Sequence, residues 1–388
     1  MMKKFYLFVC PALLALSSCS NEANENGILD KTDAISFAAY PTKSRAVGAD
    51  ITSDNMKKDN FGVAGYSNNA IYLNKGTNGV EQKWDATSST WEYANLADLK
   101  FWPENNMDFY AYFPYTDNAT FAATNNDAEN STVMTIPNVD CSHDVLFAFA
   151  GNQSKQTRVP LTFHHAFSKI KTLQIEMPAE GIVYKSGCQV EISSAEFIYT
   201  RTKGDVNVDK DGAASYNVAE SNLTLKETLA SAVTINSTNT STNIIDYGTS
   251  SKGYFFATNG TPAVNNVIGT GALMWDGVKA NIGGTSTLST SGLVCLKLTC
   301  KVWNGTEEKP YYYVGNASNF GEVYIPLKGL DADPNGVSTF DAGKRYIYKI
   351  VMKDNVGFTD AGDPILTPIL FSVNSVDDWS DVTVTITL

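Results

Sequence analysis

From Phe61 to the last residue, apolar and aromatic side chains come in short runs at strand spacing, and nowhere in a long, capped 3.6-residue pattern. Phe61-Gly62-Val63-Ala64-Gly65-Tyr66 begins this material. Asp108-Phe109-Tyr110-Ala111-Tyr112-Phe113-Pro114 is an aromatic strand stopped by proline. Trp84 to Trp91 reads as a hairpin, with a small polar loop between aromatic ends. Leu293 to Trp303, Asn304-Gly305 and Tyr311 to Val314 read as another, and Gly343 to Val351 as a further strand. Leu96 to Lys100 is at most one helical turn. The pattern predicts an all-β chain, and 388 residues are enough for two sandwich domains.

The N-terminus decides the compartment. Lys3 and Lys4 precede an apolar run from Phe5 to Leu16, too short to span a bilayer, which reads as a secretion signal. Leu16-Ser17-Ser18-Cys19 follows and resembles the lipobox of bacterial lipoproteins. That resemblance implies a diacylglycerol on the Cys19 thiol and attachment to the outer membrane by lipid. Residues 20–34 are polar and unpatterned, a flexible tether. Ile35 to Tyr40 reads as a short strand. Residues 1–18 are therefore expected as signal peptide and 19–34 as tether. The polar stretch Asn152 to Arg158 then divides an N-terminal sandwich, 35–156, from a C-terminal one, 157–388.

A net charge of −12 is the wrong sign for neutralising phosphates, so nucleic acid is excluded as a partner. The three histidines do not have zinc-site spacing. His164 and His165 are adjacent and face opposite sides of a strand. No Gly-x-Ser-x-Gly elbow accompanies them. The Asp/Asn/Gly stretches at 207–212 and 331–336 lack the glutamate of a calcium loop and read as turns. Trp84, Trp91, Trp102, Tyr110, Tyr112 and Tyr115 fit a β core or an aromatic carbohydrate platform. Cys295 and Cys300, five apart on one strand, face opposite ways and read as buried thiols. We expect no enzyme, no metal and no cofactor.

Four segments together resemble the fimbrillins, fimbrial subunits of Bacteroides-type bacteria. They are the lipobox at Cys19, Ser44-Arg45-Ala46 after a first strand, Phe163 to Ile170, and Ala342 to Ile350 followed by Trp379. The resemblance implies two β-sandwich domains of transthyretin-like shape behind a lipoprotein signal peptide. It implies cleavage after Arg45, so that Ala46 becomes the new N-terminus and the first strand is freed. It also implies a vacated groove that takes a C-terminal strand of the next subunit. Fimbrial subunits would then be the partners, with an outer-membrane lipoprotein as precursor and a surface fimbria as product. The tail 381–388 suits a donor strand, since Val382, Val384, Ile386 and Leu388 alternate with threonines. On the residues alone it suits equally the last strand of its own domain. The other reading is a monomeric surface lipoprotein that binds glycans or host proteins as an adhesin.

Overall fold

The structure, a computed structural model, describes residues 34–41, 51, 53–125, 131–176, 188–200, 202–218, 223–236, 241–247, 252–256, 267–268, 273–274, 288–289, 295–304, 311–326, 341–351, 357–358, 364–365, 370–374 and 380–387. Cys19, Arg45, Ala46 and Leu388 lie outside the described residues.

The chain is all-β. Its first elements are β1 (Phe37–Pro41), the one-turn α1 (Ser53–Met56), β2 (Phe61–Ser67), β3 (Ala70–Leu73), β4 (Val80–Asp85) and β5 (Thr90–Tyr93). A 3-10 turn at Leu96–Asp98 precedes β6 (Met107–Phe113), β7 (Thr120–Phe121), β8 (Thr132–Val139), β9 (Leu146–Gln153) and β10 (Val159–His165). Next come β11 (Phe167–Glu176), β12 (Cys188–Thr200), β13 (Gly204–Asp209), β14 (Ala214–Val218), β15 (Leu223–Ile235), β16 (Ser241–Asp246) and β17 (Tyr254–Phe256). Short strands β18 (Val267–Ile268), β19 (Leu273–Met274) and β20 (Leu288–Ser289) lead to β21 (Cys295–Asn304), β22 (Tyr311–Val314), β23 (Gly321–Pro326) and β24 (Lys344–Val351). The last are β25 (Gly357–Phe358), β26 (Pro364–Ile365), β27 (Leu370–Asn374) and β28 (Ser380–Thr387).

An eight-stranded sheet runs β1-β10-β9-β6-β2-β4-β5, with β3 added on β2. Its central strands bury both faces, which is why they read as near-continuous apolar runs. On β6, Met107, Phe109, Ala111 and Phe113 enter one core, while Tyr110 and Tyr112 enter the other. The second core is closed by the sheet β14-β13-β8-β7, through Val133, Ile136, Val206 and Val208. Gly62 lets the Tyr112 ring lie on the backbone of β2, since a Cβ there would run into that ring. β10 is buried on one face only: Val159, Leu161, Phe163 and His165 point in, and Pro160, Thr162 and His164 point out.

Two further sheets, β16-β11-β24-β28-β27 and β15-β12-β21-β23-β19, follow, with β17 on β11 and β22 on β21. Phe197 of β12 and Tyr348 of β24 bring their rings within 6.3 Å between these sheets. The expected boundary at 156/157 falls just before β10, whose ladders run to β1 and β9. The hairpin β13–β14 pairs with β8. Phe167, Tyr254 and Phe256 join the second core from beyond that boundary.

Candidate functional site: the seat of the first strand

β1 lies parallel to β10 at the end of the eight-stranded sheet, with Phe37 opposite Val159 and Tyr40 opposite Thr162. Its inward residues are the ones that alternate in the sequence. Ile35 and Phe37 are fully buried, and Ala39 packs against the same core. Tyr40, on the outer face, is 57% exposed. Phe37 is held edge-on by two rings, Phe61 at 6.3 Å and Phe109 at 5.4 Å.

The other side of the strand is held as well. The Ile35 N–H donates to the Lys100 carbonyl at 2.9 Å, and Ala34 forms a bridge with Phe101. The Val159 N–H donates to the Ser36 carbonyl at 2.8 Å, and the Ser36 hydroxyl to the Thr157 carbonyl at 2.5 Å. The N-terminal end of β1 thus fits between β10 and the segment after β5. Beside it remains a cavity of about 350 Å³ against Trp91, Tyr93, Leu96 and Leu99.

Taking the strand away would uncover Phe61, Phe109 and Phe163 and leave the edge amides of β10 and the Lys100 carbonyl without partners. Two buried side chains of this size contribute about 1.5–3 kcal/mol each, and an unmet backbone group costs comparably. An empty slot is therefore a strong acceptor for any extended, apolar strand.

The terminal segment is placed by its backbone. β28 lies between β24, to which it is parallel, and β27, to which it is antiparallel. Val382, Val384 and Ile386 stand opposite Tyr346, Tyr348 and Ile350. Other residues singled out in the sequence have structural roles. Trp91, Tyr110 and Tyr112 are buried, and Trp84 and Trp102 pack against the first core. His165 is buried with its Nδ1 2.7 Å from an Asp144 carboxylate oxygen, and His164 is exposed on the opposite face. The Asp209 carboxylate accepts from the Asp211 and Ala213 amides, at 2.9 and 2.8 Å, and closes a turn around Gly212. Cys141 and Cys300 are buried free thiols. Among the described residues no group of three or more His, Cys, Asp or Glu could hold a metal ion. No described helix is long and apolar enough to cross a membrane.

No curated protein matches the sequence. Solved structures that resemble it include a fimbrial protein from Bacteroides vulgatus ATCC 8482. It is 14% identical, with 82% of this chain and 95% of that chain covered and a TM-score of 0.47. A fimbrilin from Porphyromonas gingivalis W83 is 11% identical, with 92% and 97% covered and a TM-score of 0.37. A family model described as fimbrillin-like matches residues 44–267, more than half of the sequence, and the chain belongs to that family.

Proposed function

We propose that the chain is a structural subunit of a surface fimbria, without catalytic function. It is exported as a lipoprotein through Cys19, cut after Arg45, and polymerised when a strand from the C-terminal region of the next subunit takes the place of β1. The terminal strand, with Val382, Val384, Ile386 and Leu388, is the expected donor. Membership of the fimbrillin-like family supports a fimbrial or adhesive protein of the cell surface.

The carrying observation is the position of β1. It ends a sheet, fills a core with Ile35 and Phe37, and is followed within a few residues by Arg45. A cut there separates the strand from the rest of the chain while leaving β2 onward intact. Surface material from cells that process the protein should begin at Ala46 and run as a ladder on unheated gels. A start before Ile35 in assembled fibres would exclude the exchange, because β1 would still be attached.

A further inference from the structure

We propose that the cavity beside β1 is the docking site of the segment just upstream, with Ile28 and Leu29 as its anchor, so that the N-terminal tether is fastened to the body of the unprocessed protein. The docking does not depend on strand exchange and goes beyond it.

The cavity lies where the two ends of one sheet meet. β1 and β5 are the end strands of the eight-stranded sheet, yet they touch, and the Lys100 carbonyl after β5 receives the Ile35 N–H at 2.9 Å. The contact is incomplete, and about 350 Å³ remains between Ala34–Ser36 and Thr90–Tyr93. A cavity of about 150 Å³ holds a benzene ring, so this one has room for an aliphatic side chain and the backbone that carries it. Ile35, Trp91 and Leu99 give it apolar walls. Leu96, also in its lining, is 52% exposed and is the only aliphatic among the exposed large apolar side chains of the described residues.

The walls also offer hydrogen bonds that no described residue takes up. The Ala94 N–H donates to the Glu81 carbonyl at 3.0 Å, with Tyr93 opposite Gln82 and Trp91 opposite Trp84. Bonded and open pairs alternate in an antiparallel ladder, so the N–H and C=O of Trp91 and Tyr93 point away from β4. Among the described residues no strand pairs with that edge. The Tyr93 hydroxyl, in a residue 7% exposed, has no acceptor. An extended chain laid along β5 supplies partners for both.

The occupant follows from where the chain runs. Ala34, in the cavity wall, continues directly from residues 20–33, in which Ile28 and Leu29 are the only apolar residues larger than alanine. Leu29 is five residues from Ala34. That is at most about 18 Å of extended chain, enough to fold the pair back onto β5. Adjacent residues of an extended segment point to opposite sides, so one of the pair enters the cavity and the other covers Leu96. Charge agrees. Asp30 and Lys31 follow the pair, and the lining carries Arg158 and Glu92. Arg158 has no carboxylate partner among the described residues. Docked, the segment covers an open strand edge and adds a hold on the first residues of β1.

Trypsin treatment of the full-length, unprocessed protein tests this, read by mass spectrometry of the N-terminal peptides. Lys31 lies beside the anchor, and Lys43, beyond β1, is the reference bond in the same sample. The parent should be cut slowly at Lys31. Ile28→Ser/Leu29→Ser and Leu96→Asp should each speed that cut by about tenfold or more and leave the cut at Lys43 unchanged. Tyr40→Ala, on the exposed face of β1, should change neither. Leu96 is exposed and residues 28–29 precede the described fold, so these variants leave the cores intact. Equal rates at Lys31 in parent and variants, fast or slow, would overturn the docking. Cysteine pairs check the geometry. Ile28→Cys or Leu29→Cys, combined with Leu96→Cys, should form an intrachain disulfide, and Glu22→Cys/Leu96→Cys should not. No disulfide from either anchor position, or the same yield from position 22, would overturn it as well.

Discussion

Phe37 and Phe109 meet edge to face, their ring centroids 5.4 Å apart and their planes at 82°. The contact joins a five-residue end strand to the middle strand of the largest sheet, and makes the first strand part of a core rather than a cover over it.

Phe37→Ala should therefore weaken the unprocessed protein strongly. A large-to-small change at a fully packed ring costs about 3–5 kcal/mol. Tyr40→Ala, on the exposed face of the same strand, should stay within about 0.5 kcal/mol. Denaturant unfolding of the full chain compares the two, and equal effects would mean that the strand is not anchored by its inward face.

Arg45→Ala should leave the protein at precursor size, monomeric on unheated gels. Lys43→Ala, at the nearest other basic residue, should be processed normally. Mass spectrometry of the surface fraction distinguishes the two variants, and normal ladders from Arg45→Ala would place the cut elsewhere.

Cys19→Ala should lose all incorporation of labelled palmitate, while the parent is labelled. Equal labelling would remove the lipid anchor from the export route.

Alkaline pH should destabilise the fold before it reaches the buried acids. Burial pushes the Cys300 thiol up to about 12 and raises that of Cys141 well above the ordinary range, with Asp140 and Asp144 adding to the second shift. Burial likewise raises the Tyr66, Tyr110 and Tyr112 hydroxyls. For these groups the folded pKa lies above the unfolded one, so the unfolded chain ionises first. Their contribution is complete below about pH 8.5 and is lost as pH rises toward 12. Denaturation midpoints should fall steadily from pH 8.5 to 11 under reducing conditions. At pH 9, iodoacetamide should modify Cys141 and Cys300 only after unfolding, as peptide mapping would show, because the thiolate is the reactive form.

Much of the strand content is legible in the residues. Phe61 to Tyr66 is β2 but for its last residue, and Trp84 and Trp91 are paired across a hairpin as their spacing predicts. The first strand, expected over Ile35 to Tyr40 and found at Phe37–Pro41, is legible because its alternation is local. Partnership is harder to read. Nothing near Phe37 says that its ladder is with Val159, or that Gly204 to Asp209 belongs beside β8. Such pairings depend on which distant apolar face remains uncovered, and period-two alternation is the same for every candidate. The terminal segment shows the limit most clearly. Its alternation marks a strand with one apolar face, but central and end strands alternate alike, and only the sheet order separates β28 from β27.

The hairpin β13–β14 also sets a timetable. A secreted chain emerges from its N-terminus, yet β8, with Val133 and Ile136 in the second core, gains its ladder neighbour β13, with Val206 and Val208 in the same core, only after residue 200. Tyr254 and Phe256 arrive later still. The first two hundred residues thus leave the translocation channel with the second core still open where β13 will sit. Until the hairpin is delivered, that opening is exposed to neighbouring chains, and the period of greatest danger for the molecule precedes any cut or exchange.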